Sequence, residues 1–233
     1  MKYQELNEVL RKHQLYLKDE EGGVRANLSE ANLKGADLRV ANLSSAVLIS
    51  ADLRKADLRK AYLSSADLWG ADLRVANLSS ADLRKAYLFK SVLSSADLSS
   101  ADLGGADLTK ANLSSADLRG ADLTRANLSS ADLSSADLRG VNLRGVDLTR
   151  ANLRNTKHDY TILKIINELK YHIVLIDDLV TVGCRVYTYK EWKSFSNEEV
   201  SEMGSEALDF YKMLIPLLDY HYKGTKFEIK ESI

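Results

Sequence analysis

From Leu28 to Leu153 every fifth residue is leucine, 26 in a row without a slip. Two positions before each leucine sits alanine, except at Ser91, Val141 and Val146. Between the two stands Asp 14 times and Asn 8 times, with Val47, Tyr62, Tyr87 and Val92 as the exceptions. The last two positions are small or charged, as in Ser-Ser, Arg-Lys, Arg-Gly and Thr-Arg. A fixed internal period decides the architecture before any local propensity does. Period five suits neither regular element. On an α-helix successive leucines would turn by about 140° and form no stripe. In a flat strand an odd period would send alternate leucines to opposite faces. The chain must therefore bend once per unit, so that every leucine meets a common axis. An interior that narrow takes one large apolar filler and one small one, here leucine and alanine.

The unit Ala-(Asp/Asn)-Leu-X-X over residues 26–155 resembles the pentapeptide repeat family. The resemblance implies an all-β dominated fold, a right-handed quadrilateral β-helix with four pentapeptides per coil. Leucine and alanine would point in and the other three positions out. At four per coil, 26 units make 6.5 coils, a tube roughly 31 Å long at about 4.8 Å per strand spacing. Residues 156–165 can be read as two further degenerate units, which would complete seven coils. Ile162, Ile165, Ile166 and Leu169 fit a helical stripe equally well. Only 6 of the 26 fifth positions are Gly (35, 70, 105, 120, 140 and 145). That scarcity argues against a corner needing positive φ at this position.

A solenoid needs capped ends. Residues 1–25 are expected to form an N-terminal capping helix. Tyr3, Leu6, Val9, Leu10, His13, Tyr16 and Leu17 share one stripe, and Gly22-Gly23 is expected to end the helix. Residues 156–233 are expected to form a C-terminal cap of a hairpin and two helices. Residues 171–176 and 179–189 flank Asp177-Asp178 as its strands. Ser196 and Glu199 are spaced as a capping box, with Phe195 and Val200 placed as a hydrophobic staple. A last helix from near Ser205 would stripe Leu208, Tyr211, Ile215, Leu218 and Tyr222, with a kink at Pro216. The stretch Gly183-Cys184-Arg185 to Glu191-Trp192, followed by Ser196 to Glu199, resembles the tail of uncharacterised bacterial and phage members of the family. Leu6-Asn7 through Glu21-Gly22-Gly23 resembles their N-terminal segment. That second resemblance implies no activity.

Little in the chain points to catalysis. The four histidines (13, 158, 172 and 221) lie outside the repeats, and none has metal-ligand spacing. His13 reads first as a structural histidine against the first coil, with a ligand or catalytic role as the alternative. Cys184 reads as a small buried residue rather than a nucleophile. The lattice aspartates read as solvated groups pairing weakly with Arg and Lys across coils. No Gly-rich phosphate loop follows a strand. We therefore expect no enzyme, and no catalytic, cofactor-binding or metal-ligating residues. A single cysteine, no apolar leader and no 18-residue apolar run point to a cytoplasmic, disulfide-free protein with no membrane contact.

Some pentapeptide repeat proteins are similar to DNA in shape and charge and protect type II topoisomerases such as gyrase from quinolones. Duplex DNA would carry about 18 uncompensated charges over a tube of that length. Residues 26–155 hold 15 acids against 17 bases. By face of the 20-residue coil, acids and bases number 4 and 3, 3 and 5, 5 and 5, and 3 and 4. No face is strongly acidic, which disfavours the alternative of a DNA mimic binding gyrase or topoisomerase, and none is basic enough to bind DNA. One feature departs from the polar pattern. Ile49, Trp69 and Phe89 recur at 20-residue spacing in one outward slot, with Val47 and Tyr87 on the same face. Val47, Ile49, Trp69, Tyr87 and Phe89 thus make a candidate protein-contact strip. Its alternative is internal: a terminal helix folded over it, or simple cross-strand stacking. The reading that follows is a non-enzymatic interaction or scaffold module, binding an unknown protein or itself.

Overall fold

Each pentapeptide sends its backbone bonds to fixed places. In the second unit of the first coil, Leu33 N–H donates to Asp52 C=O at 2.8 Å and Gly35 N–H to Arg54 C=O at 2.9 Å. Asp52 N–H returns the bond to Ala31 C=O, and Ala36 N–H closes the corner onto Leu33 C=O. The pattern repeats along the lattice. Parallel bridges run from Asn27↔Val47 to Asp137↔Lys157, always 20 residues apart. Four pentapeptides therefore make one turn of a β-helix. Lattice leucines from Leu28 to Leu148 are buried, as are the alanines from Ala46 to Ala136. Ser91 takes one alanine slot, and its hydroxyl donates to Leu88 C=O at 2.7 Å.

A computed structural model describes residues 3–148, 150–157, 173–176, 179–182 and 185–202, with Tyr211, Lys212 and Ile215. The chain forms two compact units, Met1–Thr161 and Ile162–Ile233. The described part of the coil continues through Lys157, and residues 158–165 lie outside the described residues.

The corners overturn one expectation. All 26 fifth positions have positive φ, from Glu30 (56°) to Asn155 (59°), and 20 of them are not glycine. With the fourth position at negative φ, this is the sign pattern of a type II turn. Scarce glycine suggested otherwise because a left-handed residue costs about 1–2 kcal/mol. One buried leucine contributes about 1.5–3 kcal/mol, and several backbone bonds depend on the same corner. The packing wins at every corner.

In the first unit, α1 spans Tyr3–Leu17 and buries Leu6 and His13. Tyr3 and Tyr16 remain exposed, so the apolar stripe reaches the core only in its middle. The helix closes at Leu17, five residues before the expected stop at Gly22-Gly23. Glu20 N–H donates to Leu15 C=O and Asp19 N–H to Tyr16 C=O, with Asp19 at φ 56°. That is a Schellman closure with an aspartate in the place glycine usually takes. Gly23 has another duty: a Cβ there would meet the Tyr16 backbone nitrogen at 2.5 Å.

The second unit carries three antiparallel strands, β1 (Ile173–Ile176), β2 (Leu179–Val182) and β3 (Arg185–Thr188). The hairpin across residues 177–178 forms with Ile176 opposite Leu179. The expected second strand divides in two, because β2 turns back on β3 with Val182 opposite Arg185. Glycine weakens a strand interior, and Gly183 stands at this break. Tyr189 opens α2 (Tyr189–Ser194) rather than ending a strand. α3 (Asn197–Ser201) follows, with the Ser196–Glu199 capping box fully made. Trp192 and Val200 are buried, and the Tyr211 hydroxyl is shared between the carbonyls of Trp192 (2.7 Å) and Phe195 (3.1 Å). The remainder of the expected last helix, together with Cys184, His158, His172 and His221, lies outside the described residues.

Candidate interaction surface

Among the described residues the amides of fourth positions such as Arg39 and Ser79 have no backbone partner in the coil. In the described Asp and Asn repeats the central side chain takes them: Arg39 N–H donates to Asp37 Oδ1 at 3.2 Å, and Ser79 N–H to Asn77 Oδ1 at 3.0 Å. The same bond recurs from Ser29 onto Asn27 to Arg154 onto Asn152. This is an Asx turn, and it explains why the central site is so uniform. The aspartates do more than face solvent. Where an aspartate is followed by arginine at the fourth position, the guanidinium forks onto the same carboxylate, as Arg39 Nε and Nη2 do on Asp37 at 2.8 and 2.6 Å. Cross-coil ion pairs, such as Arg54 to Asp72 at 3.6 Å, are the longer contacts. The ion pairing is thus mainly within a repeat. These forks hold the carboxyls of Asp37, Asp52 and Asp137 down to about 2.

Val47, Tyr62, Tyr87 and Val92 cannot make this bond. Accordingly, no side-chain acceptor takes the amides of Ile49 or Phe89. All four exceptions fall on three adjoining faces. The fourth face, with Asp37, Asp57, Asn77, Asp97, Asp117 and Asp137 in its central column, has none.

The candidate contact strip lies on the middle of those three faces. Its central column reads Asn27, Val47, Asp67, Tyr87, Asp107, each paired with the next. Beside it, Ser50 N–H donates to Trp69 C=O and Gly70 N–H to Phe89 C=O, which sets Ile49, Trp69 and Phe89 on successive coils. Trp69 is 46% exposed and Tyr87 56%, while Val47, Ile49 and Phe89 are half-buried. Asp67 separates Val47 from Tyr87, so the strip is continuous only along the Ile49–Trp69–Phe89 column. Two lysines that sequence reasoning missed border it. Lys90 Nζ and Lys110 Nζ lie 5.3 and 5.8 Å from the Phe89 ring centre, within cation–π range. Their 20-residue spacing was the available signal. Tyr62 is exposed on one adjoining face, and Val92 is half-buried on the other.

His13 sits elsewhere, under α1. It is fully buried, with Nδ1 accepting from Ala26 N–H at 3.1 Å and Nε2 3.1 Å from Ser44 C=O. This is a structural role. Among the described residues no group of three or more His, Cys, Asp or Glu could hold a metal ion. Nor is any described helix long and apolar enough to cross a membrane.

The family model for pentapeptide repeats matches in eight copies, over residues 24–59, 56–94, 91–129 and 126–157. The chain belongs to the pentapeptide repeat family. Its members are right-handed quadrilateral β-helices, generally non-enzymatic structural or interaction modules. Among solved structures the chain is similar to HetL, a pentapeptide repeat protein involved in heterocyst differentiation regulation from the cyanobacterium Nostoc sp. strain PCC 7120. Identity is 32% over 57% of this chain and 80% of that one, with a TM-score of 0.30. Rfr23 from the cyanobacterium Cyanothece 51142 is 38% identical over 44% of this chain and 60% of its own, with a TM-score of 0.24. QnrB1, a plasmid-mediated fluoroquinolone resistance protein, is 18% identical over 57% of this chain and 87% of its own, with a TM-score of 0.31. A search of curated proteins found no match.

Proposed function

We propose that this pentapeptide repeat protein is a non-enzymatic interaction module. It binds a protein partner, or a second copy of itself, through the face carrying Val47, Ile49, Trp69, Tyr87 and Phe89. The face is presented on a β-helix of 6.5 coils from the 26 lattice units at 20 residues per coil, or seven with residues 156–165. One observation carries the reading. The sequence gives up the Asx bond at Val47 and Tyr87, on the face where Trp69 and Phe89 also stand outward. An Asx bond contributes about 0.5–1.5 kcal/mol, so replacing it with exposed apolar surface costs stability and solubility together. Such a loss is expected where a surface is kept for contact rather than for the fold. The balanced charge of the same face, four acids against three bases, favours neither nucleic acid nor a DNA-like acidic surface.

Trp69→Asp tests this directly. Solution mass and the set of proteins recovered from host lysate are compared for the variant and the parent. We expect the variant to lose either self-association or a recovered partner while its melting curve is retained. An unchanged mass together with an unchanged set of recovered proteins contradicts the reading.

A further inference from the structure

The first coil is held to α1 by an imidazole that must be neutral to do so. His13 Nδ1 accepts the Ala26 amide at 3.1 Å, which it can do only while it carries no proton. That fixes the other nitrogen as the Nε2–H tautomer, donating to Ser44 C=O at 3.1 Å. One ring therefore joins the helix to both ends of the first coil's backbone, at residue 26 and at residue 44. The ring is fully buried and stacks on Tyr16, with centroids 5.8 Å apart and planes 14° from parallel. Val24 N–H donating to Lys12 C=O is a further bond between helix and linker.

We propose that docking of α1 on the first coil is proton-gated through His13: closed at neutral pH, and released in mildly acidic solution. A proton on Nδ1 removes the Ala26 bond, turns that nitrogen into a donor facing a donor, and buries a charge. The charged group acting on the ring from the linker is Arg25, whose Nε donates to Ser45 C=O. Its charge repels a second cation. Tyr16, from the same helix, offers a neutral ring, and the first coil offers the Ser44 carbonyl. Burial first, and then Arg25, lower the His13 pKa below its ordinary value, while the Ser44 bond opposes them.

A histidine whose docked pKa lies below its free value binds its proton more readily when undocked. Its contribution is complete above about pH 6.5 and is lost as pH falls from there through the docked pKa. Release would uncover an end that is already partly open. Ala31, Ala36 and Ala41 of the first coil are half-buried, whereas Ala51, Ala56 and Ala61 beneath them are buried.

Hydrogen exchange of residues 3–17, corrected for intrinsic rates, tests the gate at pH 7.5 and pH 5.5 in the parent and in His13→Gln. Glutamine can both accept and donate but does not titrate in this range. Protection in the parent should fall severalfold, up to about tenfold, between the two pH values. Protection in His13→Gln should change by less than twofold. Equal protection of the parent at both pH values, or an equal fall in the variant, overturns the proposal. Should the variant fail to dock α1 at any pH, long-range proton–nitrogen NMR on the parent decides. An imidazole that is the neutral Nε2–H tautomer at pH 7.5 and takes up its proton below 6.5 supports the gate. One that titrates at or above 6.5, or carries its proton on Nδ1, overturns it.

Discussion

Val75 holds a φ of 60° with a branched side chain that is 54% exposed. Branched residues are among the worst tenants of the left-handed region. Glycine there would relieve about 1–2 kcal/mol of strain and return about 0.5–1 kcal/mol in backbone entropy. Val75→Gly should therefore raise the melting temperature by an amount corresponding to about 0.5–1 kcal/mol, read by thermal denaturation. A lowered melting temperature would show that the side chain packs better than its exposure suggests. The same residue shows why the corners were illegible. Composition reports which residues are present, and the conformation they hold is imposed by Leu-to-Ala closure and by the bonds to the next coil. Val75 N–H, for example, is bound to Ser94 C=O at 3.2 Å. The Asx bond was equally hidden, although Asp and Asn are the residues that can make it. Only the accounting of backbone donors reveals what the central side chain is for.

Among the elements, the repeats were legible because each unit repeats one environment, and a lattice of 26 leucines allows one solution. The ends carry no such redundancy. Closure of α1 by Asp19 rather than at the glycines, and division of the expected second strand into β2 and β3, each depend on a single local arrangement. The Ser196–Glu199 box was legible because its mechanism is written in four consecutive residues. Within the coil, each unit rests on the ones above and below. Leu88, fully buried, touches the same interior as its neighbours in both directions. Leu88→Ala should cost about 2–5 kcal/mol. Denaturant titration should show this as a lowered midpoint. A loss below 1 kcal/mol would mean that the interior collapses around the gap far better than close packing allows.

At the scale of the molecule, the 20-residue register brings two of the four exceptions onto one face and sets Tyr62 and Val92 on the faces beside it. Val47 and Tyr87 are 40 residues apart, yet they stand two coils apart in a single column, with Trp69 and Phe89 alongside. That juxtaposition was readable from period alone once four units per coil were assumed. What the strip gives up was not, because the missing bonds at Ile49 and Phe89 are visible only in the structure. On this reading the face trades stability for contact. The double variant Val47→Asn/Tyr87→Asn puts the Asx acceptor back at both places and adds no charge beside Asp67. Thermal denaturation and partner recovery, or self-association where that is the contact, are measured on the same preparation. The expected result is a protein more stable by about 1–2 kcal/mol that binds at least tenfold more weakly. A variant that is less stable, or one that binds as well as the parent, would contradict it.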